Sequence, residues 1–121
     1  MAESSAIGLG EKLVSDIMFG LIQSLSHMHL KGVFHRDIKL DNIFVPDKRI
    51  LPFAILSNFC YSESFKSNQM EPQLFKKCGT PGYVAPEIFK TKTYDQKIDV
   101  FSLGVVYYIL VFGKMPFEGQ D

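Results

Sequence analysis

Residues 35–42 read His-Arg-Asp-Ile-Lys-Leu-Asp-Asn, and this stretch says more about the fold than any other part of the 121-residue chain. It offers a carboxylate at Asp37, a cation at Lys39 and a side-chain amide at Asn42. These groups can accept a proton, neutralise a phosphate and give an oxygen ligand to a hard metal ion. Any one of them alone would favour an ordinary polar turn between two strands, because most polar side chains are only solvated. Together, at this spacing, they indicate a catalytic loop.

The spacing resembles H-R-D-x-K-x-x-N, the catalytic loop of protein kinases. The resemblance implies that Asp37 is the base for the substrate hydroxyl, that Lys39 neutralises the moving γ-phosphate and that Asn42 binds Mg²⁺. The lysine is typical of the serine/threonine branch. The implied reaction therefore transfers the γ-phosphate of ATP to a Ser or Thr hydroxyl of a protein substrate.

A second stretch, residues 78–87, reads Cys-Gly-Thr-Pro-Gly-Tyr-Val-Ala-Pro-Glu and resembles the end of a kinase activation segment. The glycines and prolines could instead mark a generic tight turn, but a turn does not explain Ala-Pro-Glu at this distance from the catalytic loop. The resemblance implies that Thr80 hydrogen-bonds the catalytic Asp and Lys. It also implies that Glu87 pairs with an Arg from a later part of the family fold. Without that partner, a buried Glu87 is expected to cost about 3–5 kcal/mol.

A third stretch, residues 99–105, reads Asp-Val-Phe-Ser-Leu-Gly-Val and is similar to the start of the central helix of the kinase large lobe. In the family this Asp accepts hydrogen bonds from the catalytic turn. The resemblance therefore implies that the Asp99 carboxylate lies within hydrogen-bond distance of a backbone N–H of His35 or Arg36.

The expected metal-binding triplet departs from the family pattern, since Asn58-Phe59-Cys60 stands where kinases have Asp-Phe-Gly. An amide gives Mg²⁺ an oxygen but no charge, so we expect a weakened metal site at Asn58. Cys60 replaces a flexible Gly, and a stiffer segment is expected. These changes leave open a second hypothesis, a catalytically impaired pseudokinase that acts as a binding module.

The position of the family's regulatory phosphate in the activation segment also departs from the pattern. By resemblance, Arg36 would hold a phosphate placed two residues before Cys78, where this chain has Lys76. Lysine cannot be phosphorylated in this way and would repel Arg36. The serines at 62, 64 and 67 lie in a polar stretch whose simplest interpretation is a solvent-facing loop.

Hydrophobic periodicity predicts the organisation of the chain. Apolar residues recur at helical spacing from Glu11 to Leu30, and a second helix ends at Gly113. Short strands are predicted at 43–45 and 53–56, with mostly irregular chain from 57 to 86. Gly8-Leu9-Gly10 is interpreted as a helix lead-in and not as a phosphate loop. His27 and His29 lie two residues apart on different helix faces, which disfavours a metal chelate.

The predicted fold class is α+β, a protein-kinase-like fold that is incomplete, mainly helical and derived from the large lobe, with short β-strands around the catalytic loop. Residues 1–121 are predicted to form one partial kinase domain, without the small lobe and the C-terminal helices. Binding of ATP and Mg²⁺ by these residues alone is therefore expected to be weak. A non-functional truncated product is a third hypothesis.

Composition limits the partners. With 13 basic and 13 acidic side chains the formal net charge is zero, so neither nucleic acid nor an anionic membrane is predicted as a partner. Two distant cysteines favour a reducing compartment, and the expected location is intracellular, in the cytoplasm. The run from Val100 to Phe112 is too short to span a bilayer and predicts a helix buried on all sides. Nothing in the sequence indicates an oligomeric state.

Overall fold

The computed structural model describes residues 8–45, 54–65, 75–91 and 93–117. The helices are α1 (Glu11–Leu30), α2 (Glu87–Lys90) and α3 (Lys97–Phe112), with a 3₁₀ turn at Leu40–Asn42. The strands are β1 (Val33–Phe34), β2 (Ile43–Phe44), β3 (Ile55–Leu56) and β4 (Glu63–Ser64). Helices and a few short antiparallel strands agree with the predicted class. Residues 46–52 between the two predicted strands, and Phe53 of the second strand, lie outside the described residues.

Helix α1 has the predicted bounds, and its buried stripe follows the apolar repeat of the sequence. The buried side chains are Val14, Ile17, Leu21 and Leu25. The preceding Gly-Leu-Gly segment is a lead-in, as predicted: the Leu9 N–H donates to the Leu110 carbonyl over 2.8 Å. At Gly8, with φ of +80°, a Cβ would lie 2.1 Å from the Val111 carbonyl oxygen. Glycine therefore permits this close contact between the lead-in and the end of α3.

Two hydrophobic clusters hold the catalytic stretch, one at each end of residues 35–37. The first joins α1, β3 and α3 and includes Ile38, while the second includes Phe34, Phe75 and Tyr94. Phe34 and Ile38 are both fully buried and flank residues 35–37. Because each end of this short stretch is fixed in a packed core, its polar residues have little freedom to move.

Two short antiparallel ribbons surround the same stretch. In one, β2 pairs with β3 so that Ile43 faces Leu56. In the other, β1 pairs with β4 so that Phe34 faces Glu63. The second ribbon was not predicted, because β4 lies in the stretch that was expected to be irregular. It brings the chain after Asn58 back alongside the catalytic stretch.

The predicted burial of α3 on all sides is wrong. Val100, Tyr107 and Phe112 are about half exposed, with 56%, 51% and 50% of their surface accessible. The opposite side of the helix is buried and carries Asp99 and Ser102. Since apolar residues lie on the exposed side as well as on the buried side, the sequence contains no period that could reveal the exposed face. Within the described ranges, no helix is long and apolar enough to cross a membrane.

Candidate active site

Asp99 braces the turn that precedes the candidate base. Its carboxylate is fully buried and accepts the His35 N–H at 2.8 Å and the Arg36 N–H at 2.9 Å. Both contacts suggested by the family resemblance are present. Arg36 has φ of 72°, a left-handed conformation that is unfavourable for a residue with a Cβ. The two hydrogen bonds to Asp99 help to hold it there.

His29 also contacts this carboxylate, which the sequence did not reveal. Its Nε2 lies 3.0 Å from Asp99 Oδ2 and must be the donor, because a carboxylate oxygen accepts. His29 thus links the last turn of α1 to α3. Among the described residues, no group of three or more His, Cys, Asp or Glu side chains could hold a metal ion.

His35 ties the catalytic stretch to the end of β3. Its Nε2 donates to the Ser57 carbonyl over 2.9 Å, and its Nδ1 accepts the Asp37 N–H over 3.1 Å. The Phe59 ring packs near the imidazole, with 5.2 Å between centroids. His35 therefore fixes the backbone of Asp37 relative to residues 57–59.

The Asp37 carboxylate is the centre of the candidate site. Its Oδ1 accepts a hydrogen bond of 2.6 Å from Thr80 Oγ1, and its Oδ2 lies 4.0 Å from Lys39 Nζ. The Asn42 amide donates to the Asp37 carbonyl at 2.7 Å and lies 3.5 Å from Oδ2. The structure thus brings Thr80 to the group formed by Asp37, Lys39 and Asn42, although Thr80 lies 43 positions after Asp37 in the sequence. A nearly buried carboxylate with one oxygen tied to Thr80 has a fixed orientation.

Gly79 allows Thr80 to reach this carboxylate. Its φ is +122°, which residues with a Cβ rarely adopt. A Cβ there would also lie 3.0 Å from Val84 Cγ2 and 3.4 Å from the Arg36 carbonyl oxygen. The chain after Thr80 is anchored in turn to α3, because Ser102 Oγ donates to the Tyr83 carbonyl over 2.7 Å.

The two amides predicted to bind metal contact each other directly. Asn58 Nδ2 donates to Asn42 Oδ1 over 3.3 Å, and Asn58 Oδ1 accepts the Cys60 N–H over 3.4 Å. Asn58, rather than Cys60, takes the left-handed conformation, with φ of 60°. Asparagine is among the residues that tolerate this region best. The pair fits Mg²⁺ in ligand type, since it offers oxygens, but not in charge, since both groups are neutral.

Glu87 is less buried than the sequence analysis assumed. It is the first residue of α2 and only partly buried. Because water reaches its side chain, the cost of about 3–5 kcal/mol expected for a buried unpaired carboxylate is an overestimate.

The Arg36 side chain contacts three segments. Its Nε donates to the Tyr61 carbonyl over 2.7 Å, one terminal nitrogen donates to the Tyr94 hydroxyl over 3.1 Å, and the other lies 3.5 Å from Glu63 Oε1. Tyr94 in turn donates to the Lys76 carbonyl. Lys76 therefore joins this network through its backbone.

The Tyr94 hydroxyl should make the free energy of unfolding depend on pH. Burial raises the pKa of its hydroxyl above the ordinary 10.0, while Arg36 acts in the opposite direction. Above about pH 10 the unfolded chain loses this proton before the folded chain does, so the free energy of unfolding should fall as pH rises. Tyr94→Phe should make that fall shallower in urea unfolding between pH 8 and 11. Parallel curves for the two proteins would contradict this expectation.

Comparison with known proteins agrees with this geometry. The family model described as "Protein kinase domain" matches residues 2–121. CBL-interacting protein kinase 25 of Oryza sativa subsp. japonica is 41% identical over 95% of the chain, and CBL-interacting serine/threonine-protein kinase 20 of Arabidopsis thaliana is 39% identical over 93%. Calcium/calmodulin-dependent protein kinase type 1 of Macrobrachium nipponense is 39% identical over 92%.

The fold and the site define part of a kinase domain. The chain belongs to the protein kinase family, and its relatives are serine/threonine kinases. It spans 22%, 25% and 31% of the length of the three relatives named above. Use of ATP and Mg²⁺ is expected for this family.

Proposed function

We propose that this chain supplies the catalytic loop of a serine/threonine protein kinase, which transfers the γ-phosphate of ATP to a protein hydroxyl. The observation that carries the proposal is the surroundings of Asp37, where Thr80 binds one carboxylate oxygen at 2.6 Å while Lys39 and Asn42 approach the other. These residues share no element of secondary structure, so their convergence supports a catalytic role.

Each residue has a distinct role in this proposal. Asp37 Oδ2 accepts the proton of the substrate hydroxyl, while Thr80 keeps Oδ1 in place. The Lys39 ammonium neutralises charge on the transferred phosphate. Asn42 and Asn58 would hold Mg²⁺, which when bound neutralises phosphate charge. His35 and Arg36 position Asp37 through the brace at Asp99.

A pseudokinase used as a binding module is the second candidate, favoured by one observation. Asn42 Oδ1 accepts a hydrogen bond from the Asn58 amide and Asn58 Oδ1 accepts the Cys60 N–H, so both oxygens expected to bind metal already have a partner. In this alternative the same fold presents a surface to a partner but does not turn over ATP.

Asn58→Asp tests the two candidates in a complete kinase domain, built by joining the chain to the small lobe and final helices of a related kinase. The change restores an anionic metal ligand at almost constant side-chain size. If the other groups are arranged for catalysis, turnover should rise about a hundredfold, the effect of about 2.7 kcal/mol at the transition state. Steady-state phosphotransfer to a Ser/Thr peptide measures it.

Gln23→Glu is the matched control, because it makes the same amide-to-carboxylate change at an exposed position of α1. It should leave turnover unchanged. An Asn58→Asp domain that folds and binds nucleotide but transfers no phosphate would refute the enzyme proposal and support the pseudokinase.

We also propose that the protein acts in the cytoplasm, on protein substrates that offer a Ser or Thr hydroxyl. Among the relatives, the names of the plant kinases refer to CBL and that of the Macrobrachium nipponense kinase to calcium/calmodulin, and these describe those kinases.

A further inference from the structure

The Arg36 guanidinium is a buried cation that needs an anion. Only 2% of its side chain is accessible to solvent. Two of its hydrogen-bond partners, the Tyr61 carbonyl and the Tyr94 hydroxyl, are neutral, and the Phe34 ring lies 5.6 Å from its carbon Cζ. A buried charge is costly unless an opposite charge compensates it.

Glu63 supplies that charge. Over the parts of the chain that the structure describes, it is the one carboxylate within 4.0 Å of an Arg36 nitrogen, with Oε1 at 3.5 Å. The β1–β4 ribbon fixes the position of Glu63 by pairing it with Phe34. Phe34 lies two residues before Arg36 in the sequence. The Glu63 side chain is 47% exposed. Solvent can therefore reach the guanidinium's anion site from this side.

We propose that Glu63 is a built-in counter-ion for Arg36, a positioning residue that holds the turn before Asp37 without a phosphate on the segment that follows. The catalytic consequence rests on the proposed function above, but the ion pair itself does not. Through Arg36 and Tyr94, the pair connects β4 with the backbone at Lys76, so it joins the start and the end of residues 61–76. Lys76 has no hydroxyl that could carry a phosphate at that point.

Anion rescue tests the proposal. Glu63→Gln keeps the shape of the side chain but leaves Arg36 without its counter-ion. Inorganic phosphate should then occupy the vacated site, because a guanidinium binds phosphate oxygens as it binds a carboxylate. Thermal unfolding of the 121-residue chain across a phosphate titration should show at least about tenfold tighter phosphate binding to Glu63→Gln than to the unmodified chain. If Glu63→Gln lowered the stability only through lost packing, phosphate would not restore it.

Asp16→Asn is the matched control. Asp16 is 36% exposed, much as Glu63 is, and pairs with Lys12 at 3.2 Å, but the Lys12 side chain is 89% exposed. Removing the Asp16 carboxylate leaves no buried cation, so it should create no phosphate site. Adding Arg36→Gln to Glu63→Gln should abolish the phosphate response.

Two outcomes would overturn the proposal. One is a marked stabilisation of the unmodified chain by phosphate, a measurement that does not require the variant to fold. The other is a folded Glu63→Gln chain that phosphate does not stabilise. In the complete kinase domain, Glu63→Gln should lower phosphotransfer and phosphate should partly restore it. A domain with no phosphotransfer at all would count against the proposed function and leave the binding result intact.

Discussion

Asp37→Asn should lower phosphotransfer by about 10²- to 10⁴-fold, the contribution expected of a general base. The comparison is made in the complete kinase domain carrying Asn58→Asp, where we expect the highest activity. Asparagine has nearly the same shape as aspartate. In the unmodified chain the Thr80 hydroxyl donates to Asp37 Oδ1 over 2.6 Å, and the amide oxygen of asparagine can accept the same hydrogen bond. The variant therefore removes the proton acceptor while it keeps the site assembled. Single-turnover phosphotransfer measures the loss at the chemical step.

Asp41→Asn is the control for this change. Asp41 belongs to the same stretch and lies in the 3₁₀ turn, but it is exposed. Its replacement should leave the rate within about twofold, as is usual for surface changes away from the reacting atoms. An equal loss in both variants would mean that the net charge of the loop matters and that Asp37 is not the base.

The parts of the structure that could be predicted from the sequence have strong local patterns. Helix α1 is twenty residues long with a regular apolar stripe, so periodicity predicted its ends. The resemblance of residues 35–42 to a catalytic loop predicted Asp37, Lys39 and Asn42 as polar groups of the candidate site. The contact of Asp99 with the turn followed from the same resemblance, although 64 residues separate Asp99 from His35.

Other features depend on contacts that no local pattern records. Strand β4 has two residues, too few to show an alternating period. Without its pairing to β1, nothing in the sequence places Glu63 beside Arg36. The contacts of Arg36 with Tyr94 and of His29 with Asp99 likewise join residues 58 and 70 positions apart. The exposed face of α3 escaped prediction for the opposite reason, since apolar residues lie on both its exposed and its buried sides.

Asp99→Asn should destabilise the fold by about 2–5 kcal/mol, a large part of the 5–15 kcal/mol typical of small domains. An amide has one accepting oxygen, whereas Asp99 uses one carboxylate oxygen for the His35 N–H and the other for the Arg36 N–H. The amide NH₂ must face one of these donors, and the buried N–H then has no acceptor. Arg36 also loses part of the support for its left-handed conformation. Urea unfolding of the 121-residue chain measures the change.

Asp95→Asn separates this effect from simple loss of a charge near the start of α3. Asp95 is exposed, and its Oδ1 accepts a single N–H, from Lys97 at 3.0 Å. An asparagine oxygen can accept that hydrogen bond equally well, so the cost should stay below about 1 kcal/mol. Similar costs at the two positions would show that Asp99 acts through its charge at the helix start. A cost confined to Asp99 is what the brace requires, because only there must one side chain accept two buried backbone donors at once.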